Sequence, residues 1–481
     1  MEEYKLFVQR IGLVGITNIL VALSSLILLP ILTKNLPISD YGIWVQFNVT
    51  LSLIIQISTL GLPYTLLRFL SKEKDIKRIQ EGFYSTIFLV SIVTLMISFL
   101  IILSSKPISL ALFNGNVEVT LILSGTLVIA CLNTMLLNFF RTFQEMRSYS
   151  LLYFTQTYLA TLIVSYFALS GYGILIAVLG LFISNMLILI IMLYIIISKI
   201  GFKIPKFIFI KEYLSFGLPT IPSNLSYWIV DSIDRYFIGL FFGTAFVGYY
   251  APGYTLGNII MMISAPFSLI LPSILPKYYD NNKKSIVTSY TNYSLKYFLL
   301  ISIPSVVGLS LLSKSILNIL TTTEIASQGY LITPFIAISC LLFGVYAILS
   351  NLILLAKKTK IIGLIWLITA FINMALNIIL LPPFGIVGAA FSTLFSYIFV
   401  FITGTYYSLK YVDLKLDLKF IVKVLISSFL VAVIIIIIKP EGILSILITI
   451  GISILVYTVT IVFFKAITSE EFEFFKNIIK K

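Results

Sequence analysis

Two aspartates and an arginine interrupt an apolar stretch of the sequence, IVDSIDRYFIGLFFG, which begins at Ile229. Asp231 and Arg235 are four residues apart, so a helix would place them where they can form an ion pair. Polar residues spaced mostly by three or four share this helix face over a longer range: Thr220, Asn224, Tyr227, Asp231, Asp234 and Arg235. Charge inside a membrane helix either lines a hydrophilic cavity and binds a ligand or forms a pair that only fixes helix packing. We expect the cavity, because the stripe extends beyond the ion pair, and the structural pair remains the alternative.

Three further polar residues lie within or beside other apolar runs. Arg10 and Arg68 flank the first and second runs, and Asn258 continues a weaker stripe that contains Tyr250 and Tyr254. The two arginines either anchor helix ends by reaching toward the lipid head groups or bind an anionic head group, since a guanidinium matches phosphate geometry. Weak stripes of this kind also serve hydrogen bonding between helices.

The composition specifies the class of protein that must position these residues. Of the 481 residues, 59% are hydrophobic and 11% are charged, and the mean hydropathy is +1.08. Apolar runs long enough to cross a bilayer recur along the whole chain. The sequence therefore predicts an all-α polytopic membrane protein with about fourteen transmembrane helices. Among them are a span over 214–242, in which Pro219 and Pro222 predict a kink or hinge near the inner end, and a short span over 297–313. The absence of His excludes His-based metal sites and catalytic triads. The absence of a Walker motif excludes transport driven by ATP hydrolysis within this chain.

Loop charges predict the orientation of the spans. With fourteen spans, 28 of the 33 Lys and Arg residues fall on one side, Arg235 lies inside a span, and four fall on the other side: Lys34, Lys106, Lys314 and Lys439. The positive-inside rule then places both termini in the cytoplasm. The net charge of +14 is thereby explained without nucleic acid as a partner. The C-terminal residues 468–479 have the pattern of an amphipathic helix on the membrane surface, with a solvated terminus as the alternative.

Internal similarity predicts how the spans are grouped. The segment GYGILIAVLGLF from Gly171 resembles FGIVGAAFSTLF from Phe384, and SDYGIWVQ from Ser39 resembles AFVGYYAP from Ala245. We interpret the chain as two similar six-helix lobes, an N-lobe over 1–206 and a C-lobe over 207–411. The last part, 412–481, adds two helices and the amphipathic tail. Repeated lobes with the same orientation are a transporter architecture, with the substrate path between them.

The segment 216–260, with its GLP, DRY and VGYY motifs, resembles the polysaccharide-flippase branch of the multidrug/oligosaccharidyl-lipid/polysaccharide exporter superfamily. The DYG at 40–42 and the GLP at 61–63 are similar as well. The resemblance implies two six-helix lobes around a polar cavity in the cell membrane of a prokaryote. It also implies alternating-access transport of a glycan on a polyprenyl phosphate or pyrophosphate from the inner to the outer leaflet. Arg10, Arg68 and Arg235 are the implied binding residues for the anionic carrier.

The same resemblance implies the energy source and the partners. Transport would use an H⁺ or Na⁺ gradient or the membrane potential, with no bound cofactor, and other polysaccharide-assembly proteins would be partners alongside membrane lipids. The alternative is a cation-coupled multidrug exporter of the same superfamily, in which Asp231 and Asp234 would be the cation site. A membrane transferase would need catalytic residues on outer loops, and these loops are short, so we do not expect an enzyme.

Overall fold

The structure, a computed structural model, describes residues 2–412 and 417–466. Within these ranges it includes all side chains except those of residues 2–11, Leu269 and Ser273. The described chain is α-helical and contains no strand, which confirms the predicted all-α membrane class. The predicted tail helix over 468–479 lies outside the described residues.

Nineteen α-helices and one 3₁₀ turn (Leu218–Thr220) make up the described chain. In chain order the α-helices are α1 (Glu2–Asn35), α2 (Ile38–Ser58), α3 (Leu62–Phe69), α4 (Ile76–Leu103), α5 (Ser105–Leu112), α6 (Val117–Thr142), α7 (Met146–Leu169), α8 (Gly173–Ile200), α9 (Ile210–Gly217), α10 (Ile221–Phe242), α11 (Thr244–Asn258), α12 (Ile260–Asp280), α13 (Lys284–Leu320), α14 (Thr323–Gly329), α15 (Ile332–Leu355), α16 (Thr359–Phe384), α17 (Ile386–Leu409), α18 (Leu418–Ile438) and α19 (Ile443–Phe463).

Twelve of these helices are long and apolar enough to cross a membrane, and the bent pair α2–α3 would make a thirteenth span. The predicted count of fourteen is therefore approximate. Helix α10 has 22 residues, enough to cross the membrane core, but it carries Asp231, Asp234 and Arg235. Its length would allow α10 to cross the membrane, but its three charged residues keep it out of the twelve apolar helices.

Several elements differ from the predicted spans. The predicted span 214–242 is divided into α9, the 3₁₀ turn and α10, at the kink that Pro219 and Pro222 predict. The predicted span 297–313 is the central part of α13, which has 37 residues. The short helices α3, α5, α9 and α14 were not predicted separately, because a window of membrane length averages over a helix of seven or eight residues.

The chain divides into two compact units. The first contains the residues up to 251 together with 366–389, and the second contains 252–365 together with the residues from 390 onward. Compactness does not test a repeat relation, so the two six-helix lobes with boundaries at 206/207 and 411/412 stay a prediction. In the first unit, α7 packs against α1 and α8, and α6 packs against α4 and α8. In the second unit, α13 packs against α15 and α18.

A proline inside α13 shows how polar groups are satisfied in the second unit. Pro304 has no N–H, so the carbonyl of Leu300 lacks its normal partner within the helix. The hydroxyl of Tyr457 in α19 donates to this carbonyl at 2.6 Å. An unsatisfied carbonyl is costly where water is absent. The Tyr457 hydroxyl therefore satisfies the Leu300 carbonyl and holds α19 against α13.

We expect Tyr457→Phe to lower the free energy of unfolding by roughly 1 kcal/mol, the net value of a single hydrogen bond. The measurement is the thermal midpoint of the purified protein in detergent. Tyr194→Phe is the matched control, because the Tyr194 side chain is 75% exposed. Equal midpoints for the two variants would show that the Leu300 carbonyl does not depend on Tyr457.

Candidate functional site

Helix α10 carries most of the predicted site residues. It begins at Ile221, directly after the 3₁₀ turn, and ends before Gly243, whose φ of +88° favours glycine. Along the polar stripe, Asn224 and Asp231 are partly buried and Tyr227 is exposed. The stripe ends in Asp234 and Arg235, which are buried with only 1% and 7% of their surface exposed. Its charged end is thus enclosed by protein.

Asp234 and Arg235 form a buried ion pair. One carboxylate oxygen of Asp234, Oδ1, accepts from Arg235 Nη1 at 2.7 Å and from the main-chain N–H of Arg235 at 2.9 Å. The other oxygen, Oδ2, accepts from the hydroxyl of Tyr250. The guanidinium lies over the Tyr250 ring, 5.6 Å from its centroid. Charge-assisted bonds of this kind offset part of the free energy needed to remove both ions from water.

The sequence spacing predicts Asp231 as the ion-pair partner of Arg235, and the structure pairs Arg235 with its direct neighbour Asp234. Adjacent residues on a helix do not normally face each other. Here the arginine side chain folds back along α10, so that Nη1 also donates to the main-chain carbonyl of Asp231. The carboxylate of Asp231 accepts from the Ser232 hydroxyl at 3.1 Å.

Helix α2 fixes α10 in place through two side-chain hydrogen bonds. Trp228 Nε1 donates to the Ser52 hydroxyl at 2.9 Å, and the Tyr236 hydroxyl donates to Thr50 Oγ1 at 2.9 Å. Interhelical bonds of this type replace hydrogen bonds to water inside a membrane. The two bonds hold α10 on both sides of Asp231, so the position of the charged stripe depends on α2.

Glycines of the sequence motifs allow close backbone contacts near both ends of α10. A Cβ on Gly42, in the DYG motif, would lie 1.8 Å from the carbonyl oxygen of Thr244. Gly61 and Gly217, from the two GLP motifs, meet in the same way, and a Cβ on Gly61 would lie 2.2 Å from the Gly217 carbonyl oxygen. Only glycine permits such an approach. These motifs therefore have a direct structural role, which is to hold the end of α9 against the start of α3 and the start of α11 against α2.

The remaining predicted site residues lie apart from the ion pair. Arg68 is exposed in the last turn of α3, beside Phe69, whose ring packs against Tyr213 of α9. Arg10 lies in α1, and its side chain is outside the described part of the structure. Asn258 is the last residue of α11 and belongs to the second unit, where its Oδ1 accepts from Cys340 Sγ at 3.4 Å.

Several buried polar residues were not among the predicted site residues. Glu81 of α4 accepts from the main-chain N–H groups of Lys206 and Ile208, and so fixes the segment between α8 and α9. Asn373 and Asn377 are fully buried on α16, where their side chains are hydrogen-bonded at 3.2 Å. Two amides four residues apart in an apolar run are a signal that could have identified this pair. Glu81 gave no such signal, because an acid near the end of a span is common on a solvated loop.

Comparison with known proteins yields family and sequence matches. Residues 7–276 match the family described as polysaccharide biosynthesis protein, and residues 219–379 match the MatE family. The chain is 24% identical over 291 residues to the probable low-salt glycan biosynthesis flippase Agl15 of Haloferax volcanii. This alignment covers 59% of this chain and 61% of Agl15. It is 27% identical over 178 residues to the probable flippase AglR of the same organism. This second alignment covers 36% of this chain and 37% of AglR. The matches thus span about three fifths and one third of these relatives.

Two solved structures share the fold. The lipid II flippase MurJ in an inward closed conformation superimposes with a TM-score of 0.77 at 18% identity, which covers 95% of this chain and 99% of MurJ. An inward-facing multidrug resistance transporter of the MATE family superimposes with a TM-score of 0.66 at 15% identity, over 81% of this chain and 94% of that transporter. At these identities the likeness concerns the fold.

We expect Gly42→Ala to lower the free energy of unfolding by about 1–3 kcal/mol, because the new methyl group would overlap the Thr244 carbonyl. Gly451→Ala in α19 is the control, since a Cβ there meets no atom within 4 Å and alanine favours a helix. Thermal midpoints of both variants in detergent test the contact. If Gly42→Ala is as stable as Gly451→Ala, the close approach of α2 to Thr244 is not present in the folded protein.

Proposed function

We propose that this chain, which belongs to the polysaccharide biosynthesis protein family, is a flippase for a lipid-linked glycan. Its substrate is an oligosaccharide on a polyprenyl phosphate or pyrophosphate, moved from the inner to the outer leaflet by alternating access. The names of two relatives, a probable low-salt glycan biosynthesis flippase and a probable flippase, support this substrate class. The fold shared with the lipid II flippase MurJ is compatible with it.

The observation that carries the proposal is the polar stripe of α10, which ends in the buried Asp234–Arg235 pair. Charged residues inside a membrane protein are rare and mark substrate pathways. Sugar hydroxyls and a phosphate cannot cross hydrocarbon unassisted, because each unsatisfied polar group costs several kcal/mol there. A polar stripe on an otherwise apolar helix supplies partners for such groups, while the lipid chain remains in the bilayer.

Within this proposal the protein is a transporter and not an enzyme, and it lies in the cell membrane of a prokaryote. The distribution of Lys and Arg supports cytoplasmic termini. An H⁺ or Na⁺ gradient or the membrane potential drives transport, with no bound cofactor. Arg10, Arg68 and Arg235 bind the anionic carrier, and the partners are membrane lipids and other proteins of polysaccharide assembly.

A second candidate is a cation-coupled multidrug exporter. The match of residues 219–379 to the MatE family and the fold shared with a MATE transporter favour it. Asp231 and Asp234 would then be the cation site. The longer match to the polysaccharide biosynthesis protein family favours the flippase.

We expect the purified protein in proteoliposomes to move a fluorescent polyprenyl-diphosphate oligosaccharide between leaflets. Arg235→Lys keeps the positive charge but loses the planar fork that binds phosphate, so it should reduce the rate about tenfold. Arg78→Lys is the control, because the Arg78 side chain is 67% exposed. The rate is the change in glycan accessible to a membrane-impermeant lectin.

The outcomes separate the two candidates. If the wild-type protein moves no lipid-linked glycan but exports a cationic dye, the flippase proposal is wrong and the protein is a multidrug exporter. A wild-type protein that flips the glycan, with Arg235→Lys and Arg78→Lys equally active, would remove Arg235 from the binding site and leave the flippase in place.

A further inference from the structure

We propose that Asp234 is a displaceable counter-ion that competes with the substrate phosphate for Arg235. The inference rests on the proposed function and concerns how the same site releases its substrate. Between transport events the carboxylate holds the guanidinium. During binding the substrate phosphate replaces the Asp234 carboxylate as the partner of Arg235. When Asp234 pairs with Arg235 again, the phosphate is released at the outer leaflet. Tyr250 is the positioning residue that keeps Asp234 ready to return.

The two oxygens of Asp234 have separate roles, which makes the exchange feasible. Oδ1 accepts from the Arg235 guanidinium at 2.7 Å, and Oδ2 accepts from the Tyr250 hydroxyl. The main-chain N–H of Arg235 also donates to Oδ1, at 2.9 Å. When the guanidinium departs, the carboxylate therefore keeps one side-chain donor and one main-chain donor. A buried carboxylate without any donor would make departure far less favourable.

Arg235 already points along the polar stripe. Its Nη1 donates to the main-chain carbonyl of Asp231, one turn earlier on α10. Beyond this carbonyl the stripe continues to Tyr227, which is 38% exposed. A change of side-chain rotamer moves the guanidinium toward this less buried part of the stripe. There its planar fork can bind a phosphate with two parallel hydrogen bonds.

Charge balance explains why a counter-ion aids transport. The Asp234–Arg235 pair is neutral, so it can remain buried at 1% and 7% exposure. A bound phosphate leaves Asp234 as an uncompensated negative charge close to another anion. Asp231 adds a further negative charge nearby. Like charges in a medium of low dielectric repel strongly, so the arrangement limits the affinity for the phosphate and favours its release.

The first variant is Asp234→Asn, which keeps the size of the side chain and removes the competing charge. We expect it to bind a short-chain polyprenyl diphosphate about tenfold more tightly than wild type, and to flip the lipid-linked oligosaccharide more slowly because release becomes limiting. Asp75→Asn is the control and should leave the affinity unchanged, because the Asp75 side chain is exposed at the start of α4, where asparagine caps a helix as well as aspartate does. Binding is measured in detergent by calorimetry, and flipping in proteoliposomes.

The second variant is Tyr250→Phe, which keeps both charges and removes the donor to Oδ2. Once Arg235 leaves, Asp234 then keeps only the main-chain hydrogen-bond donor. The guanidinium is therefore harder to displace, and the diphosphate should bind several-fold more weakly. The two variants thus shift the affinity in opposite directions. If Asp234 and Tyr250 only stabilised the fold, both variants would bind the diphosphate more weakly. The neutral double variant Asp234→Asn/Arg235→Gln should lose the gain in affinity, because no guanidinium remains.

The results distinguish failure of the counter-ion from failure of the proposed function. If wild type binds the diphosphate and flips the glycan, but Asp234→Asn binds with unchanged or lower affinity, the counter-ion role is wrong and the flippase stands. If Asp234→Asn does not fold, a tighter binding by Tyr250→Phe overturns the inference, and a weaker binding by a folded Tyr250→Phe variant supports it. If wild type neither binds nor flips, the proposed function falls and the counter-ion role falls with it.

Discussion

The absence of water from the bilayer core is the constraint on which the rest of this structure depends. Every main-chain polar group must find a partner within the chain, and a chain of this hydropathy meets that requirement as helices. Hydroxyl groups on these helices donate to carbonyls one turn earlier, as Thr291 does to Val287 at 2.9 Å. Where Pro304 breaks this pattern in α13, a tyrosine from α19 supplies the missing donor. The same requirement explains why Asp234 and Arg235 are buried as a pair.

Helix α10 is the element on which this constraint bears most strongly, because it carries three charged residues. Its charges would be unfavourable against lipid, so the helix has to be enclosed by protein. The enclosure depends on α2, which bonds to Trp228 and Tyr236, and on the glycines that let the backbones approach closely. The DYG and GLP motifs thus serve packing. Their role is to hold the charged stripe in a fixed position.

A flippase has to bind an anionic carrier and also release it, and a single strongly exposed cation would serve only the first purpose. The pairing of Arg235 with an adjacent acid gives an ion pair whose net charge is zero in the absence of substrate. Such a site can be buried without substrate and still offer a guanidinium to a phosphate. The exposed Arg68 at the end of α3 is the opposite case, a cation open to its surroundings. Under the proposed flippase function, the two arginines would act at different stages of one transport event.

The sequence by itself determined the class, the approximate number of spans, the break at Pro219 and Pro222, and the charged face of α10. These properties follow from hydropathy, helix period and the missing proline N–H, all of which are local. Only the tertiary structure decided that Arg235 pairs with Asp234, that Tyr250 supports this pair, and that Gly42 contacts Thr244. It also decided the length of α13 and the separate short helices. These features could not be predicted, because they depend on which side chains from distant parts of the chain meet, and many pairings satisfy the same hydrophobic pattern. The physical reason is that periodicity specifies which face of a helix is buried, whereas partners and distances depend on how whole helices pack.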